Sequence, residues 1–200
     1  MIRGQGMATI ILAGGSSTRM GRDKALLAVG ESTLLQMLVT RFALEPGPVI
    51  VVLRPDQEPA AHNCLTVHDI YRDAGPLGGL HAGLVASPDE VNFVLACDMP
   101  LADPELARYM LTRLSDHDAV VPMLARGPEP LFAVYRKSCL PAVESSIAAG
   151  RLRMRDPLDR LDVLYIPEDE IRERDPDLRS FFNINTPEDY REALRIIETQ

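Results

Sequence analysis

Cysteine is scarce in this chain, and what there is does not pair up. Cys64, Cys97 and Cys139 are odd in number and lack C-x-x-C spacing, which argues against a disulfide framework or a zinc site and fits a reducing cytoplasm. Histidine is as thin: His62, His68, His81 and His117 show no metal-ligand spacing and read as surface or packing residues. Cations are outnumbered, 21 Lys and Arg against 29 Asp and Glu, giving a formal net charge of −8. A polyanion or an anionic membrane wants a basic face, so this balance argues against a dedicated nucleic-acid or membrane-surface binder. An anionic ligand must then be met by a local group of cations. No apolar run approaches the roughly 20 residues of a membrane span, and the stretch before Gly14 is short for a secretory signal. With no internal repeat, low-complexity tract or linker, residues 1–200 are expected to form one soluble, cytoplasmic domain, with 1–7 flexible.

What the chain does hold, 46% hydrophobic residues, comes in short runs. "ATIILA" (8–13), "PVIVVL" (48–53), "NFVLAC" (92–97), "DAVVPM" (118–123), "LFAVY" (131–135) and "DVLYI" (162–166) are strand candidates. Helical patterns lie between them. Leu34, Leu35, Leu38, Val39 and Phe42 follow Ser32 at helical spacing, and "ADPELARYMLTRL" offers Asp103 as N-cap with Pro104 at the first helical position. "NINTPEDYREALRIIE" repeats that pattern with Thr186 and Pro187, and its spacing predicts Leu194 and Ile197 as buried. Residues 150–179, rich in charge and proline, are expected to be largely irregular. Strand alternating with helix predicts an α/β protein: a parallel sheet covered on both faces.

In such a sheet ligands bind beyond the carboxyl ends of the strands, and the loop after the first strand commonly meets phosphate. Here that loop reads "LAGGSSTRMGRDK". Gly14 and Gly15 let backbone N–H groups approach a ligand, while Arg19 and Lys24 supply the local charge. The spelling is neither G-x-x-x-x-G-K-[ST] nor G-x-G-x-x-G, so a P-loop ATPase and a dinucleotide-binding dehydrogenase lose ground. A nucleoside triphosphate or another phosphorylated group is the natural guest. Asp98, at the end of "NFVLACD", belongs to the same sheet edge and is suited to hold magnesium bridged to substrate phosphates. Because Asp103 caps the next helix, Asp98 is left for that task. In "HDIYRDAGPLGGLHAGL", Asp69 or Asp73 could accept the N–H donors of guanine, with Gly75 to Gly79 bringing backbone near the base.

Taken in order, "LAGGSSTRMGRDK", "DAGPLGGLHAGL", "ACDMP", "EPLFAVY" and "FFNINTPEDY" resemble the molybdenum cofactor guanylyltransferases, the molybdopterin-guanine dinucleotide biosynthesis protein A family. The likeness runs from residue 8 to the C-terminal helix. It implies a three-layer α/β/α, Rossmann-like nucleotidyltransferase fold with a mostly parallel central sheet. Carried over by position, it assigns Leu12, Ala13, Gly14 and Gly15 to GTP, Lys24 to the triphosphate, Asp69 to guanosine, and Asp98 to nucleotide and Mg2+. Arg19 matches the arginine of the loop motif, and Asn183 and Asn185 match asparagines on the molybdopterin side. The chain departs from the pattern after the second strand, where Leu53-Arg54-Pro55 stands in place of an asparagine that some members use as a further nucleotide contact.

The reaction this implies is attack by the terminal phosphate of molybdopterin on the α-phosphorus of GTP, with release of pyrophosphate. Substrates would be GTP and molybdopterin or molybdenum cofactor, with cofactor-synthesis proteins and apo-molybdoenzymes as protein partners. Two rivals stay open at this stage. One is a related transferase using CTP on molybdopterin or a nucleotide on a sugar phosphate. The other is a non-catalytic nucleotide-binding module.

Overall fold

The computed structural model describes residues 6–14, 24–58, 61–71 and 73–199. β1 (Met7–Leu12) is buried at every position. Its side chains divide between two cores, Met7 and Ile11 on one face and Ala8, Ile10 and Leu12 on the other. This is why it reads as a continuous apolar run rather than an alternating one. The strand begins at Met7, inside the segment expected to be flexible.

After the first strand come a small hairpin of β2 (Ala28–Val29) and β3 (Ser32–Thr33), then α1 (Leu34–Phe42). Thr33 caps α1, its side chain accepting from Gln36 N at 3.1 Å. β4 (Val49–Leu53), the edge strand β5 (Leu65–His68) and α2 (Gly75–Ala86) complete the first half. β6 (Val91–Ala96), α3 (Pro104–Arg113), β7 (Ala119–Leu124), the short β8 (Gly127–Pro128) and β9 (Phe132–Arg136) follow. The chain ends with α4 (Leu140–Ala148), β10 (Val163–Pro167), α5 (Glu168–Arg172) and α6 (Pro187–Glu198).

Among the described residues, eight strands form one sheet in the order β10-β7-β9-β6-β1-β4-β5, with β8 paired to β7. β1 is parallel to β4 and β6, β4 to β5, and β7 to β10. β9 is the departure from the expected parallel sheet, since it runs antiparallel to both β6 and β7. The short β7–β9 connection carries no crossover helix, and without one the chain must return in the opposite direction. Residues of α1, α3, α5 and α6 share one core with one face of the sheet, and those of α2 and α4 share the other. The three layers expected from the resemblance are present.

Two local expectations need correction. In α6 the buried residue is Ala193, whereas Leu194 and Ile197 are half-buried. The helix lies at the border of the core, so its apolar stripe is only partly covered. Residues 150–179 hold the one strand expected there, now β10, but they also fold into a 3-10 turn at Asp156–Arg160 and the helix α5. No helix among the described residues is long and apolar enough to cross a membrane.

Candidate active site

The sheet order fixes where the site must lie. From β1 the chain steps to β4 and β5 on one side and to β6 on the other, so the segments leaving β1 and β6 diverge and leave a crevice at their carboxyl ends. A cleft of about 880 Å³ occupies that place, lined by Leu12, Ala13, Gly14, Lys24, Asp69 and Asp98. Backbone bonds continue the strand pairing into its walls. Ala13 N donates to Val52 O at 2.9 Å, Cys97 N to Leu12 O at 3.1 Å, and Asp69 N to Leu53 O at 2.9 Å. The floor is therefore rigid sheet. Gly14 passes beneath Arg54, where a Cβ would stand 3.2 Å from Arg54 Cγ. Gly15 and Arg19 lie outside the described residues.

Lys24 joins three distant parts of the chain. Its Nζ donates to Asp98 Oδ2 and to Asn185 Oδ1, both at 3.1 Å. The ion pair is mostly enclosed, with side-chain exposures of 17% and 25%, so its attraction is less screened than that of an exposed pair. Backbone reinforces the junction: Ile184 N donates to Asp98 O at 2.9 Å. At the start of α6 the Asp189 carboxylate accepts from Asn185 N at 2.9 Å and Thr186 N at 2.8 Å, while Thr186 Oγ1 accepts from Asp189 N, a complete capping box. Those backbone donors, first Asn185 and then Thr186, together with the charge of Lys24, hold the Asp189 carboxyl below its usual range. Asn185 thus reaches the cleft edge through Lys24. Asn183 is turned elsewhere, its Nδ2 donating to the Phe181 carbonyl at 3.1 Å.

Asp69 forms the opposite corner of the cleft. Its carboxylate accepts from Tyr71 N at 2.8 Å. Burial pushes its carboxyl up, opposed by that hydrogen bond and by the charge of His81. The glycines after it mainly serve packing. A Cβ on Gly78 would lie 2.5 Å from Asp69 Oδ2, and one on Gly83 would lie 2.4 Å from Ile10 Cγ2. Of the stretch expected to approach a base, Gly75 and Gly79 line the cleft, as does Asp73. Gly75, at φ +58°, and Asp73, at φ +67°, make the tight turn into α2.

Sequence reasoning noted Arg54 only as a departure from the family pattern and missed Tyr71. Arg54 lines the cleft, with Nη1 3.4 Å from Gly14 O and Nε 3.4 Å from Asp56 Oδ1. Tyr71 lines it beside Asp69. The available signal was position, since both follow strands whose carboxyl ends meet the cleft. The described residues contain no cluster of three His, Cys, Asp or Glu side chains able to hold a metal. A lone Asp98 carboxylate beside a cleft still suits Mg2+, which keeps several waters and takes much of its coordination from substrate phosphates.

A family model for the MobA-like NTP transferase domain matches residues 9–163. The chain is 36% identical over 189 residues to a protein of Pelotomaculum thermopropionicum named "Probable molybdenum cofactor guanylyltransferase", covering 94% of this chain and 92% of that one. It is similar to the crystal structure of a molybdopterin-guanine dinucleotide biosynthesis protein A from Archaeoglobus fulgidus, with TM-score 0.83 and 28% identity over 97% of this chain and all of the other. The 2-C-methyl-D-erythritol 4-phosphate cytidylyltransferase of Thermus thermophilus shares the fold, with TM-score 0.70 and 19% identity over 96% of this chain and 99% of that chain.

Proposed function

We propose, from the premise that the chain belongs to the MobA-like NTP transferase family together with the molybdenum cofactor guanylyltransferases, that it transfers GMP from GTP to the terminal phosphate of molybdopterin. The products are molybdopterin guanine dinucleotide and pyrophosphate. The observation that carries this reading is the convergence of Gly14, Lys24, Asp69 and Asp98 on one cleft at the carboxyl end of the sheet. The cytidylyltransferase rival rests on a shared fold alone, at 19% identity.

In the proposed reaction a phosphate oxygen of molybdopterin attacks the α-phosphorus of GTP, and the bond to the bridging oxygen of pyrophosphate breaks. The nucleophile is already an oxyanion, so no general base is required. The protein's contribution is positioning and neutralisation of charge. Backbone at Leu12, Ala13, Gly14 and Gly15 approaches the nucleotide, Lys24 meets the triphosphate, and Asp69 accepts the guanine N–H donors. Arg19 adds a second cation for the phosphates. Asp98 would hold Mg2+, which supplies Lewis-acid stabilisation of phosphate charge when bound. Asn185, beside Lys24, marks the acceptor side, to which the resemblance also assigns Asn183, whose amide would have to leave the Phe181 carbonyl to meet molybdopterin. Residues 1–200 act as one catalytic domain.

The few cysteines, odd in number and without C-x-x-C spacing, support a cytoplasmic setting where cofactor-synthesis proteins deliver substrate and apo-molybdoenzymes take product. The deciding experiment is pyrophosphate release with each nucleotide in the presence of molybdopterin and Mg2+. GTP is expected to support turnover and CTP, UTP and ATP are not. Turnover with CTP at the GTP rate would replace this reading with the cytidylyltransferase one, and GTP binding without pyrophosphate release would favour a non-catalytic module.

A further inference from the structure

One buried side chain behind the cleft wall, in contact with Tyr71, has no task in the proposed reaction. His81 sits mid-way along α2 with its side chain only 5% exposed, whereas His62, His68 and His117 are half-buried or exposed. Its Nε2 lies 3.2 Å from Glu144 Oε1 on α4. An ionised carboxylate only accepts hydrogen bonds, so Nε2 carries the proton. Nδ1 is enclosed without a hydrogen-bond partner among the described residues. A buried polar atom left this way costs free energy that an aliphatic side chain would avoid. Packing alone does not account for an imidazole here.

The surroundings of the ring point to Asp69. His81 meets Tyr71 edge to face, with ring centroids 4.8 Å apart and planes at 82°. The N–H of that same Tyr71 donates to the Asp69 carboxylate at 2.8 Å. Gly78 is three residues before His81 and shares its face of α2. It approaches the carboxylate so closely that a Cβ would stand 2.5 Å from Oδ2. Glu144, His81, Tyr71 and Asp69 thus form a continuous chain of contacts from the surface of α4 to the cleft.

We propose that His81, anchored by Glu144, is a positioning residue for base recognition: it seats Tyr71 and so holds the Asp69 carboxylate where it can accept the N–H donors of guanine. This rests on the reading of Asp69 as the guanosine contact. An apolar ring in place of His81 would fill the space but would lose the tether to Glu144. Glu144 is half exposed, at 52%, so its truncation tests the tether without opening the core.

The test is steady-state pyrophosphate release by the full-length chain with GTP and molybdopterin, for His81→Phe, Glu144→Ala, Asp69→Asn and the double variant of His81 and Asp69. His81→Phe and Glu144→Ala are expected to raise KM for GTP about tenfold and about threefold, with kcat within about twofold of wild type. In the Asp69→Asn background, His81→Phe should add less than about twofold, because the group it positions is already gone. Unchanged KM in both single variants, a fall in kcat alone, or full additivity with Asp69→Asn would overturn the proposal and leave the GTP reading standing. An Asp69→Asn variant with wild-type KM for GTP would overturn the guanosine contact and this inference with it.

Discussion

At the residue scale the site is built from side chains that each face two demands. Asp98 is bonded to Lys24 at 3.1 Å, yet in the proposed reaction Asp98 serves a divalent cation and Lys24 a triphosphate. The two roles are compatible because a phosphate-bound cation and a phosphate-bound lysine can occupy the same neighbourhood once nucleotide has entered. Replacing Lys24 by Met should therefore lower kcat/KM for GTP by about 10²–10³, while Mn2+ binding to the nucleotide-free protein, read by electron paramagnetic resonance, should tighten as its competitor is lost. Asp98→Ala should abolish metal-dependent transfer and keep the native circular dichroism spectrum. Asp69 poses the same conflict in a different form. Its carboxyl is raised, mainly by burial, so ionised Asp69 opposes folding at neutral pH. Stability from the protonated form is fully present below the ordinary carboxylate range and is lost as pH rises through the raised value. Asp69→Asn is then expected to raise Tm of the unliganded protein at pH 7, with the gain vanishing near pH 3. GTP should stabilise this variant less than wild type in the same thermal scan.

At the element scale, α2 shows how helix and sheet were brought close enough to form a wall. Its glycines remove the side chains that would hold it away from β1, and the clearest case is Gly83, whose Cβ position falls 2.4 Å from Ile10 Cγ2 and 3.1 Å from Cδ1. Ile10 is fully buried and cannot swing into solvent. Gly83→Ala should thus cost about 1–3 kcal/mol from overpacking, despite alanine's better helix propensity, as measured by urea unfolding with an unchanged m-value. The start of α6 was legible before the fold was known, because Thr186, Pro187 and Asp189 are local in sequence and the capping box needs nothing else. Its buried stripe was not. Leu194 and Ile197 are only half covered because helical spacing says which residues share a face but not how far another layer extends over it.

At the scale of the whole molecule, two buried groups oppose alkaline conditions together. Burial pushes the Cys139 thiol from 9.0 up to about 12, and it also raises the Tyr135 hydroxyl well above its ordinary value. An unfolded chain releases these protons earlier than the folded one, so stability is complete below pH 9.0 and declines from there toward about 12. Cys139→Ala should lower stability at neutral pH by leaving a small cavity, yet flatten the fall in Tm between pH 9 and 11. An unchanged alkaline slope would show that the thiol is not the group responsible. Native protein should also react with a thiol reagent first at Cys64, which is half-buried, and at Cys139 only on unfolding.

Local pattern was sufficient for the identity of most elements. Six apolar runs became β1, β4, β6, β7, β9 and β10, and Asp103 and Thr186 cap the helices that follow them. It also singled out Gly14, Lys24 and Asp98, because a glycine-rich turn or a carboxylate immediately after a buried strand must emerge at that strand's carboxyl end, whereas it left Asp69 and Asp73 as alternatives and the resemblance chose between them. β5 escaped notice because the edge strand "LTVH" is half exposed and lacks the buried-run pattern. The reversal of β9 is likewise a matter of which strands it pairs with, a long-range choice that periodicity does not encode. Only folding brought Lys24 to Asp98 and Asn185, 74 and 161 positions away. It alone seated His81 against Tyr71. Sequence spacing specifies the face a side chain takes within its own element; which distant face it meets is set by how the layers close around a shared core.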